Sequence, residues 1–390
     1  MKSGLTVRLN TIIMDENKKI KVLQAIRQGM VGGGESHILS LVKHIDKNRF
    51  EPVVLSFTDG QMITELKNIG VDNFVIPSNK AFDLTKWKQV KALMQKEKID
   101  LVHIHGTRAT SNIYWAAKNL KLPVIYSIHG WSFHDDQSTL VKKARIYFEN
   151  WITKKTNRNI SVSSSNQKTG KDNIDGFQSE VIYNGIDLEK FNPLSRERKN
   201  LRRQLNIAGD AIVICFIGRI TLQKDPLSLI KAFKEVAERN ANAVLLMIGD
   251  GDMKAEAIQS AKELNIQDKI IFENFRTDVA DILFSSDIYC LPSLWEGFPI
   301  GLLEAMAMCK PVIATNVDGS VEIIQNNKNG ILINPQNKKM LVDALNNLIS
   351  NKNLRTQLGN TARETIVKDF DVCKMTKKIE AVYTNVLSEN

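Results

Sequence analysis

Short apolar runs of β-strand length alternate with amphipathic helical stretches along nearly the whole chain, and this alternation allows few folds. A strand buried on both faces reads as a continuous apolar run, so the pattern points to parallel sheets covered by helices on both sides. Strands are expected near 21–26, 52–57, 100–105, 123–129, 159–164 and 180–185, with helices near 35–46, 84–97, 107–120 and 138–156. The pattern breaks at NGIDLEKFNPLSRERKN (184–200), where Gly, Pro and a charge run intervene, which reads as a linker between domains. It then restarts with strands at 211–219, 243–251, 269–275, 287–293 and 311–315. The expectation is an α/β protein of two similar doubly wound domains, each with its ligand site at the carboxyl ends of its strands. A final amphipathic segment at 374–387 carries Met375, Ile379, Val382, Tyr383 and Val386 at helical spacing and is expected to cross back onto the first domain.

A chain of 390 residues suits two domains rather than one core. The longest apolar runs, AIVICFI (211–217) and AVLLMI (243–248), are strand-sized and far short of the ~20 residues that span a membrane. No apolar core of signal-peptide type is seen in residues 1–19, and Cys215, Cys290, Cys309 and Cys373 form no CxxC pair. A reducing, cytoplasmic setting is expected, peripheral to the inner face of the cell membrane if lipid is involved. The net charge of +10 is unevenly placed: residues 1–200 carry a balance of +11 and residues 201–390 one of −1. A basic first half suits an anionic membrane face or phosphorylated acceptor. With 7% aromatic residues and no basic-aromatic run, nucleic acid is not an expected partner.

The most informative local segment is EGFPIGLLE (296–304), set between a buried-strand pattern and a helix. Pro299 is placed to open that helix, whose first N–H groups have no acceptor within it and favour a phosphate. Glu296 lies in the loop and Glu304 about a turn and a half into the helix. Two carboxylates flanking a phosphate seat suit recognition of hydroxyls on both sides of a diphosphate, ribose on one side and sugar on the other. Similarly, GRITLQKDP (218–226) joins a buried strand to a helix and places Arg219 and Lys224 where paired cations clamp a diphosphate.

Together with GGGES (32–36), SIHG (127–130), VIYNGID (181–187), IGDGD (248–252) and LPSLWEGFPIGLLEAMA (291–307), these segments resemble the family 4 retaining glycosyltransferases of GT-B architecture. The resemblance runs from about residue 19 to the C-terminus. It implies an N-terminal tail (1–18), an acceptor-binding Rossmann-like domain (19–190), a linker (191–205), a donor-binding Rossmann-like domain (206–368) and a C-terminal helix (369–390). It implies transfer of a sugar from a nucleotide-diphosphate donor, expected to be a UDP-sugar, to a glycan or lipid-linked glycan in surface polysaccharide synthesis. Arg219 and Lys224 match the pair that holds the diphosphate, Glu296 the acid that contacts the transferred sugar, and Glu304 the acid that binds the ribose. Gly297, Phe298, Ile300 and Gly301 match the backbone against sugar and phosphate; Pro299 has no N–H to offer. His129 matches a first-domain histidine that reaches the sugar, and Gly33 and Gly34 the glycine turn that approaches the phosphates.

No cofactor or metal is expected. No Asp-x-Asp metal motif is read beside a strand end, so leaving-group charge would fall to Arg219, Lys224 and the helix N-terminus. His103 and His105 share a strand face, with no third ligand at metal spacing in the sequence. His134 has no fixed role. Two departures from the family pattern stand near the expected donor site: Cys309 replaces a glycine usual at the helix end, implying a reshaped turn, and Asp318 replaces the first glycine of a Gly-Gly pair. The competing functions are a nucleotide-sugar epimerase on the same fold, a phosphorylase, and a catalytically silent nucleotide-sugar or membrane-binding module. A phosphorylase would need a pyridoxal lysine and a much longer chain.

Overall fold

The computed structural model describes residues 18–30, 32–78, 83–134 and 137–389; the expected tail therefore lies almost wholly outside the described residues. The alternation in the sequence resolves into two parallel sheets. The first contains β1 (Ile20–Ile26), β2 (Phe50–Ser56), β3 (Asp72–Val75), β4 (Leu101–His105), β5 (Val124–Ile128), β6 (Arg158–Ser161) and β7 (Glu180–Val181), in the order β3-β2-β1-β4-β5-β6-β7. The second contains β8 (Ile212–Ile217), β9 (Ala243–Ile248), β10 (Ile270–Glu273), β11 (Ile288–Leu291), β12 (Val312–Thr315) and β13 (Ile331–Ile333), in the order β10-β9-β8-β11-β12-β13. Both orders reverse direction once, at β1/β4 and at β8/β11. Loops leaving the carboxyl ends of strands on either side of such a reversal part from each other and open a crevice.

Each sheet is buried on both faces, as its apolar runs require. In the first, Leu23, Val53, Val102 and Tyr126 face one helical layer, and Val22, Leu101, Ile125 and Ile160 face the other. β3 and β13 were not expected from the sequence; both are short and close a sheet edge. β7 ends after two residues where a six-residue strand was expected. Beyond it the chain turns to the returning C-terminal segment: the Ile186 N–H donates to Phe370 O at 2.8 Å and the Val372 N–H to Ile186 O at 3.1 Å.

The stretch expected as a linker, residues 191–205, is built into the second domain instead. Phe191 joins the main core of the second sheet, and Leu201 and Leu205 are buried with Val213 and Leu246 on its other face. Their apolar side chains anchor an otherwise polar stretch. The C-terminal helix, Val372–Ser388, lies on the first sheet, burying Val372, Met375, Ile379, Val382, Tyr383 and Val386 against Val22, Leu41, Phe50 and Leu101. At roughly 1.5–3 kcal/mol per fully buried apolar side chain, this is a substantial part of the first domain's core.

Candidate functional site

The two crevices face each other and form one cavity of about 950 Å³, lined by loops from the carboxyl ends of both sheets. In the second domain, Gly218 and Arg219 follow β8. A single helical turn, Leu222–Lys224, then brings Lys224 toward the cleft. Asp225 follows with φ 47°, and its carboxylate accepts from the Ser228 N–H, capping the helix Pro226–Arg239. The loops after β8 and β9 are locked together at Gly249, which has φ +143° and whose Cβ would lie 2.0 Å from Gly218 O. Only glycine fits there.

The Lys224 ammonium is paired with Glu296 Oε1, which also accepts from the Ser293 hydroxyl at 2.6 Å. The Glu296 N–H donates to Asp318 Oδ2 at 3.1 Å. Arg219 is exposed in the cleft and donates to the Gln223 amide oxygen at 3.3 Å, while Gln223 donates to Trp295 O at 3.0 Å. The loops carrying the two cations and the first carboxylate are therefore tied into one unit. The helix Ile300–Ala307 starts just beyond, with Pro299 as its N-cap rather than its first residue. Ile300, Gly301 and Glu304 line the cleft with Gly297 and Phe298. Burial pushes the Glu304 carboxyl up to about 7, with Lys190 opposing that rise.

The first domain contributes Gly33 and Gly34, which open the helix Gly33–His44 behind the N-cap Gly32. A Cβ on Gly33 would meet nothing within 4 Å, whereas one on Gly34 would lie 3.2 Å from Ile26 Cδ1 and 3.6 Å from His129 Cδ2. Gly33 thus leaves room in the cleft, and Gly34 lets the helix start pack on the histidine. His129 lines the cleft at the end of β5, and its carbonyl is where the two domains meet: a Cβ on Gly297 would lie 2.3 Å from His129 O. A second contact across the domains joins the His134 and Trp295 rings, 5.6 Å apart. A third is formed by Glu322, which accepts from the Ser164 and Ser165 N–H groups at 2.8 and 2.6 Å.

Two separate sequence families match this architecture domain by domain. Residues 31–190 match Glycosyltransferase Family 4, and residues 197–365 match Glycosyl transferases group 1. An uncharacterized glycosyltransferase of Methanocaldococcus jannaschii is 30% identical over 91% of this chain and 94% of its own length. The chain belongs to the family 4 glycosyltransferases. The UDP-Gal:alpha-D-GlcNAc-diphosphoundecaprenol alpha-1,3-galactosyltransferase of Escherichia coli is 26% identical to it over 95% of this chain and 98% of that protein. Among solved structures, HepE of Anabaena in complex with UDP and glucose superposes with a TM-score of 0.82, covering 94% of this chain and all of the other at 22% identity. The fold of this glycosyltransferase is GT-B.

Several sequence expectations need correction. An Asp-x-Asp spacing does follow a strand end in this glycosyltransferase, at Asp250-Gly251-Asp252 after β9. Asp250 is already engaged: Oδ1 pairs with Lys254 at 2.9 Å and Oδ2 accepts from the Phe275 N–H at 2.8 Å. Lys254 beside it holds its carboxyl below the usual range. That carboxylate joins the loops after β9 and β10. Cys309 does not reshape its turn. It sits at φ 55°, with the Cys309 N–H donating to Met306 O and the Lys310 N–H to Ala305 O, the hydrogen bonds of an ordinary Schellman end. It also lies at the opposite end of its helix from the cleft. Asp318 adopts φ 32°, and its carboxylate orients the Glu296 backbone.

The histidines depart furthest from expectation. No third ligand was expected beside His103 and His105, yet His37 and His129 join His105 with ring nitrogens within 4.8 Å of one another. His105 Nδ1 and His129 Nε2 are hydrogen-bonded to each other at 2.9 Å. His37 donates from Nδ1 to Asn184 Oδ1 at 2.8 Å, leaving its buried Nε2 without a partner. Burial keeps His37 neutral, its imidazole pushed down to about 4.

Glu35, on the first helical turn after Gly32, was also missed. It is buried in the cleft lining, and burial pushes its carboxyl up to about 7 despite Arg219 across the gap. A glycine N-cap followed three residues later by glutamate is half a capping box, a signal present in GGGES.

Proposed function

We propose that this glycosyltransferase transfers a sugar from a UDP-sugar to a glycan or lipid-linked glycan acceptor, with retention at the anomeric carbon and without a divalent metal. The observation that carries this reading is the Lys224–Glu296 pair beside Arg219 and the start of the helix Ile300–Ala307. Two cations, a helix N-terminus, Glu296 and Glu304 all line the one cavity. The E. coli relative is named for a UDP-galactose donor and a lipid-diphosphate acceptor, and HepE was solved with UDP.

On this reading the diphosphate draws Lys224 and Arg219, the ribose hydroxyls donate to Glu304, and hydroxyls of the transferred sugar donate to Glu296. As the bond from C1 to the β-phosphate oxygen breaks, charge builds on that oxygen. The fixed cations and N–H groups stabilise it more in the transition state than in the bound donor. The acceptor hydroxyl attacks C1 from the same face. Its proton passes to the departing phosphate oxygen, so no covalent sugar–enzyme bond forms. Gly297 packs closely on the His129 carbonyl, and closure of the two domains about that contact would exclude water from the reacting atoms. The partnerless Nδ1 of His129 offers an acceptor to a hydroxyl of the transferred sugar.

The acceptor side supports a membrane-borne substrate. On the helix Thr139–Lys155, Leu140 is 81% and Tyr147 73% exposed, and with Lys143 and Lys154 they share one face at helical spacing. Among the described residues no helix is long and apolar enough to cross a membrane, so contact would be peripheral.

The test is UDP release from a panel of UDP-sugars, with and without EDTA and with lipid-diphosphate glycan acceptors. Acceptor-dependent, EDTA-insensitive release supports the proposal. Acceptor-independent interconversion of the donor would make the protein an epimerase, and turnover only with added metal would remove the metal-free clamp.

A further inference from the structure

A continuous buried hydrogen-bonded chain runs from His129 to the C-terminal helix. His129 Nε2 meets His105 Nδ1 at 2.9 Å, and His105 Nε2 meets Gln24 Oε1 at 2.8 Å. Gln24 Nε2 donates to the Tyr383 hydroxyl at 2.9 Å; that hydroxyl lies 2.7 Å from His103 Nδ1, and His103 Nε2 lies 2.7 Å from the Ser127 hydroxyl. Gln24, His103 and Ser127 are fully buried, as is Tyr383, and His105 nearly so.

With Gln24 Oε1 facing His105 and Nε2 facing Tyr383, valence fixes the donors along this chain. Gln24 Oε1 has no hydrogen, so His105 must donate from Nε2. A neutral His105 then has only a lone pair at Nδ1, and His129 must donate from Nε2. Tyr383 accepts from Gln24 and spends its one hydrogen on His103 Nδ1, which leaves His103 Nε2 to donate to Ser127. Burial pushes all three imidazoles far below the usual range, so none carries a second proton. The end of the chain is a His129 ring whose Nδ1 holds an uncommitted lone pair, and that atom is the buried nitrogen without a partner. Turning the Gln24 amide over would reverse every donor and put a proton on Nδ1 instead. Gln24 and Tyr383 thus decide whether His129 offers the cleft an acceptor or a donor.

We propose that Tyr383 and Gln24, acting through His105, are positioning residues that set the tautomer of His129 as the Nε2–H form. This rests on the reading above that His129 meets the transferred sugar. Tyr383 arrives on the helix that returns from the second domain, so the sugar-facing histidine of the first domain is set only once the C-terminal segment has docked.

Tyr383→Phe removes the hydroxyl and keeps the ring, which stacks edge-on against Phe50 with centroids 5.7 Å apart. The experiment uses the full chain labelled with 15N-histidine, the His129 signals being identified by their loss in His129→Asn. In the wild type, Nδ1 is expected to be unprotonated and Nε2 protonated. In Tyr383→Phe the two forms are expected to mix, with kcat down roughly tenfold and the donor KM little changed, the loss of one hydrogen bond that is stronger in the transition state than in the bound donor. Gln24→Leu, with folding checked by thermal unfolding, is expected to give the same split. A protonated Nδ1 in the wild type overturns the proposal. So does an unchanged tautomer and kcat in both variants while His129→Ala loses turnover. Full turnover in His129→Ala overturns the assignment of His129 to the sugar, and the proposal with it.

Discussion

Lys224 and Glu296 are joined as an ion pair although they lie on loops that follow different strands, β8 and β11. The pair holds in fixed relation the cation and the carboxylate proposed to meet the donor's phosphate and sugar. A preorganised pair of this kind costs little reorganisation when charge develops on the leaving group.

Loss of the cation is therefore expected to show in the chemical step. Lys224→Ala should lower kcat by roughly 10²–10³, the range for removing one preorganised charge-stabilising donor. The donor KM should change much less. Steady-state kinetics over a donor concentration series checks this; normal turnover at saturating donor would remove Lys224 from the clamp.

Donor affinity should depend on pH through Glu304. Its carboxyl is raised by burial from 4.5 to about 7, so the unliganded fold favours the protonated form. Its contribution to stability is present below the unfolded value and is lost as pH rises from 4.5 to about 7. If, as proposed, ribose hydroxyls donate to the ionised form, UDP binding should weaken as pH falls below about 7, by up to tenfold per pH unit. UDP titrations between pH 5 and 8 test this, where Glu304→Gln should flatten the Glu304 part of the slope and leave any part due to Glu35.

Cys309 stands where the helix end demands φ 55°. A side chain in the left-handed region costs roughly 1–2 kcal/mol. Cys309→Gly relieves that strain, against some added unfolded-chain entropy, and should stabilise the protein by about 0.5–1 kcal/mol. Chemical denaturation reads the difference, and activity should be unaffected because the turn lies away from the cleft.

Removal of residues 372–390 should abolish folding of the first domain, not merely loosen it. The segment supplies six buried apolar side chains and the Tyr383 hydroxyl to that domain's core. Expression of the truncated chain, read by far-UV circular dichroism and limited proteolysis, should give an unfolded or degraded first domain; a folded one would show the helix to be dispensable.

The strand-and-helix alternation carried most of the fold, because buried parallel strands need continuous apolar runs such as AIVICFI and AVLLMI. The short edge strands β3 and β13 escaped because three or four residues show no periodicity. The linker was misplaced because Phe191, Leu201 and Leu205 are isolated in a charged stretch, and only packing reveals what they cover. In the cleft, the positions of Arg219, Lys224 and Glu296 were legible because they lie on strand-to-helix loops, and that of Glu304 because it lies on the helix that such a loop opens. The histidine cluster was not legible: His37, His105 and His129 come from three separate elements, and Gln24 and Tyr383 are 359 positions apart. The Asp250-Gly251-Asp252 spacing was overlooked, and its role as a loop tie follows only from Lys254 and the Phe275 N–H.

The most direct test of the metal-free cation clamp is calorimetric titration of UDP into the wild type and Lys224→Ala, each in EDTA and again with added magnesium. The clamp predicts binding in EDTA that magnesium does not improve and that Lys224→Ala weakens by roughly tenfold or more, as expected for a charge-assisted phosphate contact. Binding that appears only with magnesium, or that is equal in the two proteins, would contradict it.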